Sequence, residues 1–185
     1  MSTDTGNRSP GTGPADTRYR QELRQVLGEL GSLGVQVVAS AGNDSTARPV
    51  FPAAFADPQY SAVPAIRLIS VGALNPDGSR AQYTNVDPAW PQHWEPGTAV
   101  TSTTPPFGTP PGPVSAAYDP DDLVGGFARW SGTSFAAGVA SARLARALSD
   151  GAADGDLIDV SPAAACQRMR RARRVVGIDD GDDAV

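Results

Sequence analysis

The chain has 185 residues, a formal net charge of −5 and 40% hydrophobic residues, which allows one domain with an apolar core and disfavours the basic face that nucleic-acid binding requires. Its single cysteine, Cys166, excludes an intramolecular disulfide and a multi-cysteine zinc site, and no apolar run is long enough to span a bilayer. With 20 glycines and 17 prolines, much of the backbone is expected in loops.

Residues 1–17 are polar, rich in Gly, Thr and Pro, and lack the apolar segment of a secretion signal. They are expected to form a disordered arm, and the chain to be cytoplasmic by default. Over residues 18–33 the apolar Leu23, Val26, Leu27, Leu30 and Leu33 recur at helical spacing, and Gly34 is placed to end that helix. Residues 35–41 form a continuous apolar run of strand length, as in a parallel strand buried on both faces. A helix, a glycine and a buried strand in that order form one step of an α/β sheet.

That strand ends in Gly42-Asn43-Asp44, which reads equally as a turn. A second reading is that Asn43 presents its amide at the carboxyl edge of a parallel sheet, where ligand sites collect. A neutral amide there can donate to a developing negative charge without titrating. Further strands are expected over residues 66–73, 81–84 and 97–102, the first two separated by the turn Asn75-Pro76-Asp77-Gly78. Residues 103–126 are rich in Pro, Gly and Asp and read as a long surface loop.

The stretch Trp130-Ser131-Gly132-Thr133-Ser134-Phe135-Ala136-Ala137-Gly138 delivers a serine to the start of a helix expected over residues 133–148. A helix N-terminus aims unpaired N–H groups and a positive dipole end at whatever Ser134 attacks, which suits a nucleophile whose reaction generates an oxyanion. Helix capping by Ser131, Thr133 or Ser134 is the plainer reading. Small residues through Ala142 imply close packing of this helix. A last helix is expected over residues 161–176, its Arg cluster a solvated face, followed by an acidic tail.

Two stretches then meet. Val37-Val38-Ala39-Ser40-Ala41-Gly42-Asn43-Asp44 and Gly132-Thr133-Ser134-Phe135-Ala136-Ala137 resemble the oxyanion-asparagine and nucleophile motifs of the subtilisin-like serine peptidases. Phe51-Pro52-Ala53, Leu68-Ile69-Ser70-Val71-Gly72-Ala73 and Pro96-Gly97 fall in the order such enzymes show, so the resemblance covers roughly residues 23–148. It implies an α/β fold with a mostly parallel sheet and helices on both faces. It further implies that Ser134 is the nucleophile of an acyl-enzyme, and that the Ser134 N–H and the Asn43 amide hold the oxyanion. Ser40, Ala41 and Gly42 would form one wall of the primary specificity pocket. Gly132 and Thr133 would bind substrate, Gly132 by letting its backbone approach closely.

The sequence also departs from the family, whose catalytic groups run Asp, His, Ser. The 42 residues before Asn43 contain no histidine. Asp4-Thr5-Gly6 repeats the letters of the aspartate motif, but Met1-Ser2-Thr3 is no apolar strand to carry it, and the match reads as coincidence. The single histidine, His93, falls in the wrong part of the order and is expected in an exposed loop. Gly138 stands where the family usually has proline.

The chain is therefore expected to be a C-terminal portion of such a domain, inactive alone for want of a base. Its units would be an arm (residues 1–17), a partial peptidase domain (18–150) and a C-terminal helix with acidic tail (151–185). The expected partners are a peptide or protein substrate and a separate N-terminal peptidase segment, with no cofactor, no metal, no nucleic acid and no membrane span. Members of the family are often secreted. The alternative is a non-catalytic binding module that pairs with an N-terminal fragment by strand addition. An α/β-hydrolase is disfavoured, because the turn Gly-Thr-Ser-Phe-Ala is not the Gly-x-Ser-x-Gly elbow.

Overall fold

Gly34 sets the first helix-to-strand step in a computed structural model that describes residues 14–61, 67–104, 126–151 and 159–178. Helix α1 (Pro14–Ser32) closes with Gly34 N–H donating to Gly31 O and Val35 N–H to Leu30 O, both at 3.0 Å. This paired closure needs a left-handed residue, and Gly34 has φ +82. A Cβ there would also lie 2.7 Å from the Ala165 side chain. The helix begins at Pro14, so residues 14–17 are helical rather than part of an arm. Residues 1–13 lie outside the described residues.

Strand β1 (Val37–Ser40) pairs in parallel with β2 (Leu68–Leu74), Val37 beside Leu68 and Ser40 beside Val71. Strand β3 (His93–Pro96) pairs in parallel on the other side of β2, with Val71 beside His93 and Leu74 beside Pro96. Strands β4 (Val100–Thr103) and β5 (Phe127–Trp130) form a separate antiparallel ribbon. Between Ala53–Ala56, a 3-10 turn, and β2 lies the short helix α2 (Pro58–Ser61). Helices α3 (Thr133–Gly151) and α4 (Pro162–Val175) complete the chain, and Ser161 caps α4 by accepting from the Ala164 N–H.

Alternation along β2 decides the layers. Ile69, Val71 and Ala73 face Ala136, Ala140 and Leu144 of α3 and Met169 and Ala172 of α4. Leu68 points the opposite way, into Leu27 of α1, Ala39, Ala53 and Phe55. A parallel sheet covered on both faces makes its central strand buried almost throughout, as β2 is. Ala136 and Ala140 bring α3 close to the sheet. Truncating the fully buried Ile69 to alanine would cost about 2–5 kcal/mol. The architecture is the expected α/β sheet with helices on both faces.

Several elements differ from the sequence reading. β1 is shorter than expected and mostly half-buried, because it is an edge strand among the described residues. Residues 81–84 form a turn, not a strand. Ala81 N–H donates to Ala73 O, but Thr84 N–H folds back onto Ala81 O, and the Thr84 hydroxyl accepts the Ala73 N–H. The strand expected over residues 97–102 starts only at Val100, because Ala99 at φ 56 turns the chain after β3. His93 lies within β3, half-buried, and not in an exposed loop. The expected long loop falls largely on residues 105–125 and the acidic tail on residues 179–185, both outside the described residues.

Candidate active site

At the carboxyl edge of the sheet, the ends of β1 and β3 meet the start of α3. β3 runs out through Gly97, whose carbonyl accepts the Gly132 N–H at 2.8 Å and the Tyr83 hydroxyl at 2.9 Å. A Cβ on Gly97 would sit 2.7 Å from the Ala73 methyl and 2.9 Å from Gly132 O, so this approach requires glycine. The carbonyl–amide contact docks the serine-bearing turn onto the sheet.

Thr133, fully buried, joins the two motifs. Its N–H and its hydroxyl both donate to Asn43 Oδ1 at 2.9 Å, and its hydroxyl accepts the Gly42 N–H at 3.1 Å. With Oδ1 held by two donors, Asn43 Nδ2 is turned away from Thr133. It lies beside Gly132, where a Cβ would be 3.4 Å from it. Gly132 therefore leaves a gap rather than relieving a clash in the free protein.

Ser134 follows, exposed, in the first turn of α3. Its N–H and hydroxyl and the Asn43 Nδ2 have no hydrogen-bond partner among the described residues. Ser134 thus stands at the positive end of a nineteen-residue helix, one position after the Thr133 that holds Asn43. Such an arrangement can hold a negatively charged oxygen.

The structure brings Asn43 together with Gly132 and Thr133, although Thr133 lies 90 positions further along the chain. Of the expected pocket wall, Ser40 and Gly42 are half-buried. Ala41 is fully buried against Ala54 and Trp90, so its methyl faces the core. Thr133 makes its contacts with Asn43 and Gly42, a role the sequence reading did not foresee. Gly138 is exposed, and a methyl group on its Cα would meet nothing within 4 Å.

His93 is engaged elsewhere. Glu95, 1% exposed on the face of β3 that meets α3, accepts from His93 Nε2 and from Arg143 Nη1, each at 3.0 Å. Arg143 lies nine residues beyond Ser134, about 13 Å along the helix. Among the described residues no group of three or more His, Cys, Asp or Glu side chains could hold a metal ion, and no helix is long and apolar enough to cross a membrane.

Asn85 was not anticipated. It is fully buried, its Oδ1 accepts the N–H groups of Asp44 and Thr46, and a Cβ on Gly42 (φ +100) would overlap its Nδ2. It directly follows residues 81–84, expected as a short strand, and no motif of the sequence marks it.

Comparison with known proteins bears on the fold. The prenylagaramide maturation protease PagA is similar over 84% of this chain and 44% of its own, at 23% identity and TM-score 0.52. The patellamide maturation protease PatA is similar over 88% and 46%, at 24% identity and TM-score 0.51. For the patellamide maturation protease PatG the shares are 85% and 48%, at 18% identity and TM-score 0.54. The chain thus spans about half the length of these solved structures, which share its fold. No curated protein sequence matches it significantly. The family model of the subtilases, Peptidase S8, matches residues 4–172, and the chain belongs to this family of serine peptidases.

Proposed function

We propose that this chain is the nucleophile-bearing portion of a serine endopeptidase that works through an acyl-Ser134 intermediate. The observation that carries the reading is the Thr133 bracket, which fixes Asn43 Oδ1 and leaves Nδ2 beside the turn that presents Ser134. Ser134 Oγ adds to the carbonyl carbon of the scissile peptide, and its proton passes to a base. Asn43 Nδ2 and the Ser134 N–H donate to the carbonyl oxygen as it becomes an oxyanion. Collapse expels the amine, which takes a proton, and water then hydrolyses the acyl-serine.

The base comes from polypeptide other than the described residues, because the single histidine, half-buried in β3, is held by the buried Glu95. The chain alone is therefore nearly inactive. The test is labelling of the purified chain by a fluorophosphonate probe, with and without added imidazole as a surrogate base. Slow labelling that imidazole accelerates, lost in Ser134→Ala and slowed in Asn43→Ala, is expected. Fast labelling without imidazole would overturn the missing base. No labelling with imidazole would overturn the nucleophile.

A second reading, a binding module, is favoured by the edge of β1, which is unpaired among the described residues. The backbone groups of Val38 and Ser40 point away from β2, and Tyr19 and Val26 of α1 and Leu33 just after it are exposed (60, 51 and 57%). The occupant is a separate subtilisin-like N-terminal fragment that adds a strand there. Sedimentation of the mixture should show a heterodimer. A chain that stays monomeric beside such a fragment rules this reading out.

A further inference from the structure

We propose that Asn85 is a positioning residue for Asn43, holding the backbone from which the Asn43 amide reaches the serine turn. Asn85 grips the peptide groups on both sides of Asn43. Its own N–H donates to Gly42 O at 3.0 Å, just before Asn43, and its Oδ1 accepts the Asp44 N–H at 2.8 Å, just after it. The same oxygen accepts the Thr46 N–H at 3.2 Å. Between these two donors stands Ser45 at φ 52, a left-handed conformation that brings both N–H groups round to one acceptor.

Neighbours of Asn85 complete the clamp. Ser45 donates through its N–H to Tyr83 O and through its hydroxyl to Gln82 O, and Val86 N–H donates to Thr46 O. The Thr133 bracket fixes the Asn43 side chain, and the Asn85 clamp fixes its main chain. The two act on the same residue from opposite sides. Asn85 is fully buried, so it touches no substrate and acts only through Asn43.

An isotope-labelled full chain tests this by amide hydrogen exchange and by the side-chain amide signals of Asn43. Asn85→Leu keeps the bulk and removes the acceptor. It should raise exchange at Asp44 and Thr46 by at least about tenfold and lower the Asn43 side-chain order parameter below about 0.6. Protection in β2 and α3 should persist. Asn85→Asp keeps an acceptor oxygen and should restore both signals. Asn85→Ser, too short to reach both donors, should behave as a milder Asn85→Leu and serves if the leucine variant does not fold.

Unchanged Asn43 signals in a folded Asn85→Leu or Asn85→Ser variant would overturn the proposal. So would an Asn85→Asp variant that folds but fails to restore them. The inference rests on the proposed oxyanion role of Asn43 only for its purpose. The exchange and amide signals report geometry without chemistry, so the phosphonate experiment can fail while this one succeeds, and the reverse.

Discussion

Replacing Thr133 with valine removes the hydroxyl of the bracket while almost preserving side-chain volume. The Gly42 N–H then loses its acceptor at 3.1 Å, and Asn43 Oδ1 loses one of two donors but keeps the Thr133 N–H. Leaving a buried donor unsatisfied costs about 1–3 kcal/mol. Gly42 is half-buried, so water recovers part of that, and about 1–2 kcal/mol is expected. For a chain of this size that lowers Tm by about 2–8 °C. Urea unfolding followed by tryptophan fluorescence measures it, since Trp90 is 1% exposed and reports loss of the core. The decisive comparison is the double-mutant cycle with Asn43→Ala. If the hydroxyl acts through Asn43, the two substitutions couple by about 0.5–1.5 kcal/mol. Additivity within about 0.3 kcal/mol would refute the bracket as the link between the two motifs.

Arg143→Met should destabilise by about 1–2 kcal/mol, less than the figure for a fully buried pair because the Arg143 side chain is 55% exposed. Adding Glu95→Gln should recover about half or more of the loss in the same unfolding assay. Gly97→Ala should cost about 1–3 kcal/mol through contact with Ala73 and Gly132 O, whereas Gly138→Ala, mid-helix in open space, should stabilise by about 0.5–1 kcal/mol. Equal signs in the two melts would contradict this packing. Asp159 accepts from the Ser161 N–H, and this bond and the Ser161 side chain lower its pKa, with Arg168 adding attraction. A depressed carboxyl pKa contributes stability that is present above its unfolded value and lost as pH falls through the folded value. The Ser161 amide signal should therefore titrate below the usual aspartate range, and Asp159→Asn should abolish that titration.

Much of the α/β order was legible because periodicity survives in single segments. Leu23, Leu27 and Leu30 mark α1, Gly34 ends it, and the run over residues 66–73 reads as a strand, which the structure places at Leu68–Leu74. β3 was not legible, since His93-Trp94-Glu95-Pro96 mixes polar and bulky residues in only four positions. Its pairing with β2 and its face against α3 make it a strand. The turn at residues 81–84 escaped for the opposite reason, because local β-propensity was overruled by hydrogen bonds back to Ala73.

By itself the sequence determined a serine at a helix start and an asparagine just past a strand end, because those are local properties of short segments. Tertiary structure alone decided what connects them. Thr133 reaches Asn43 across 90 positions, Asn85 closes on the Gly42–Asp44 turn, and the buried Glu95 engages His93. Hydrogen bonds between residues distant in the chain leave no period or spacing to read, since their partners come together only when the parallel sheet aligns its carboxyl ends.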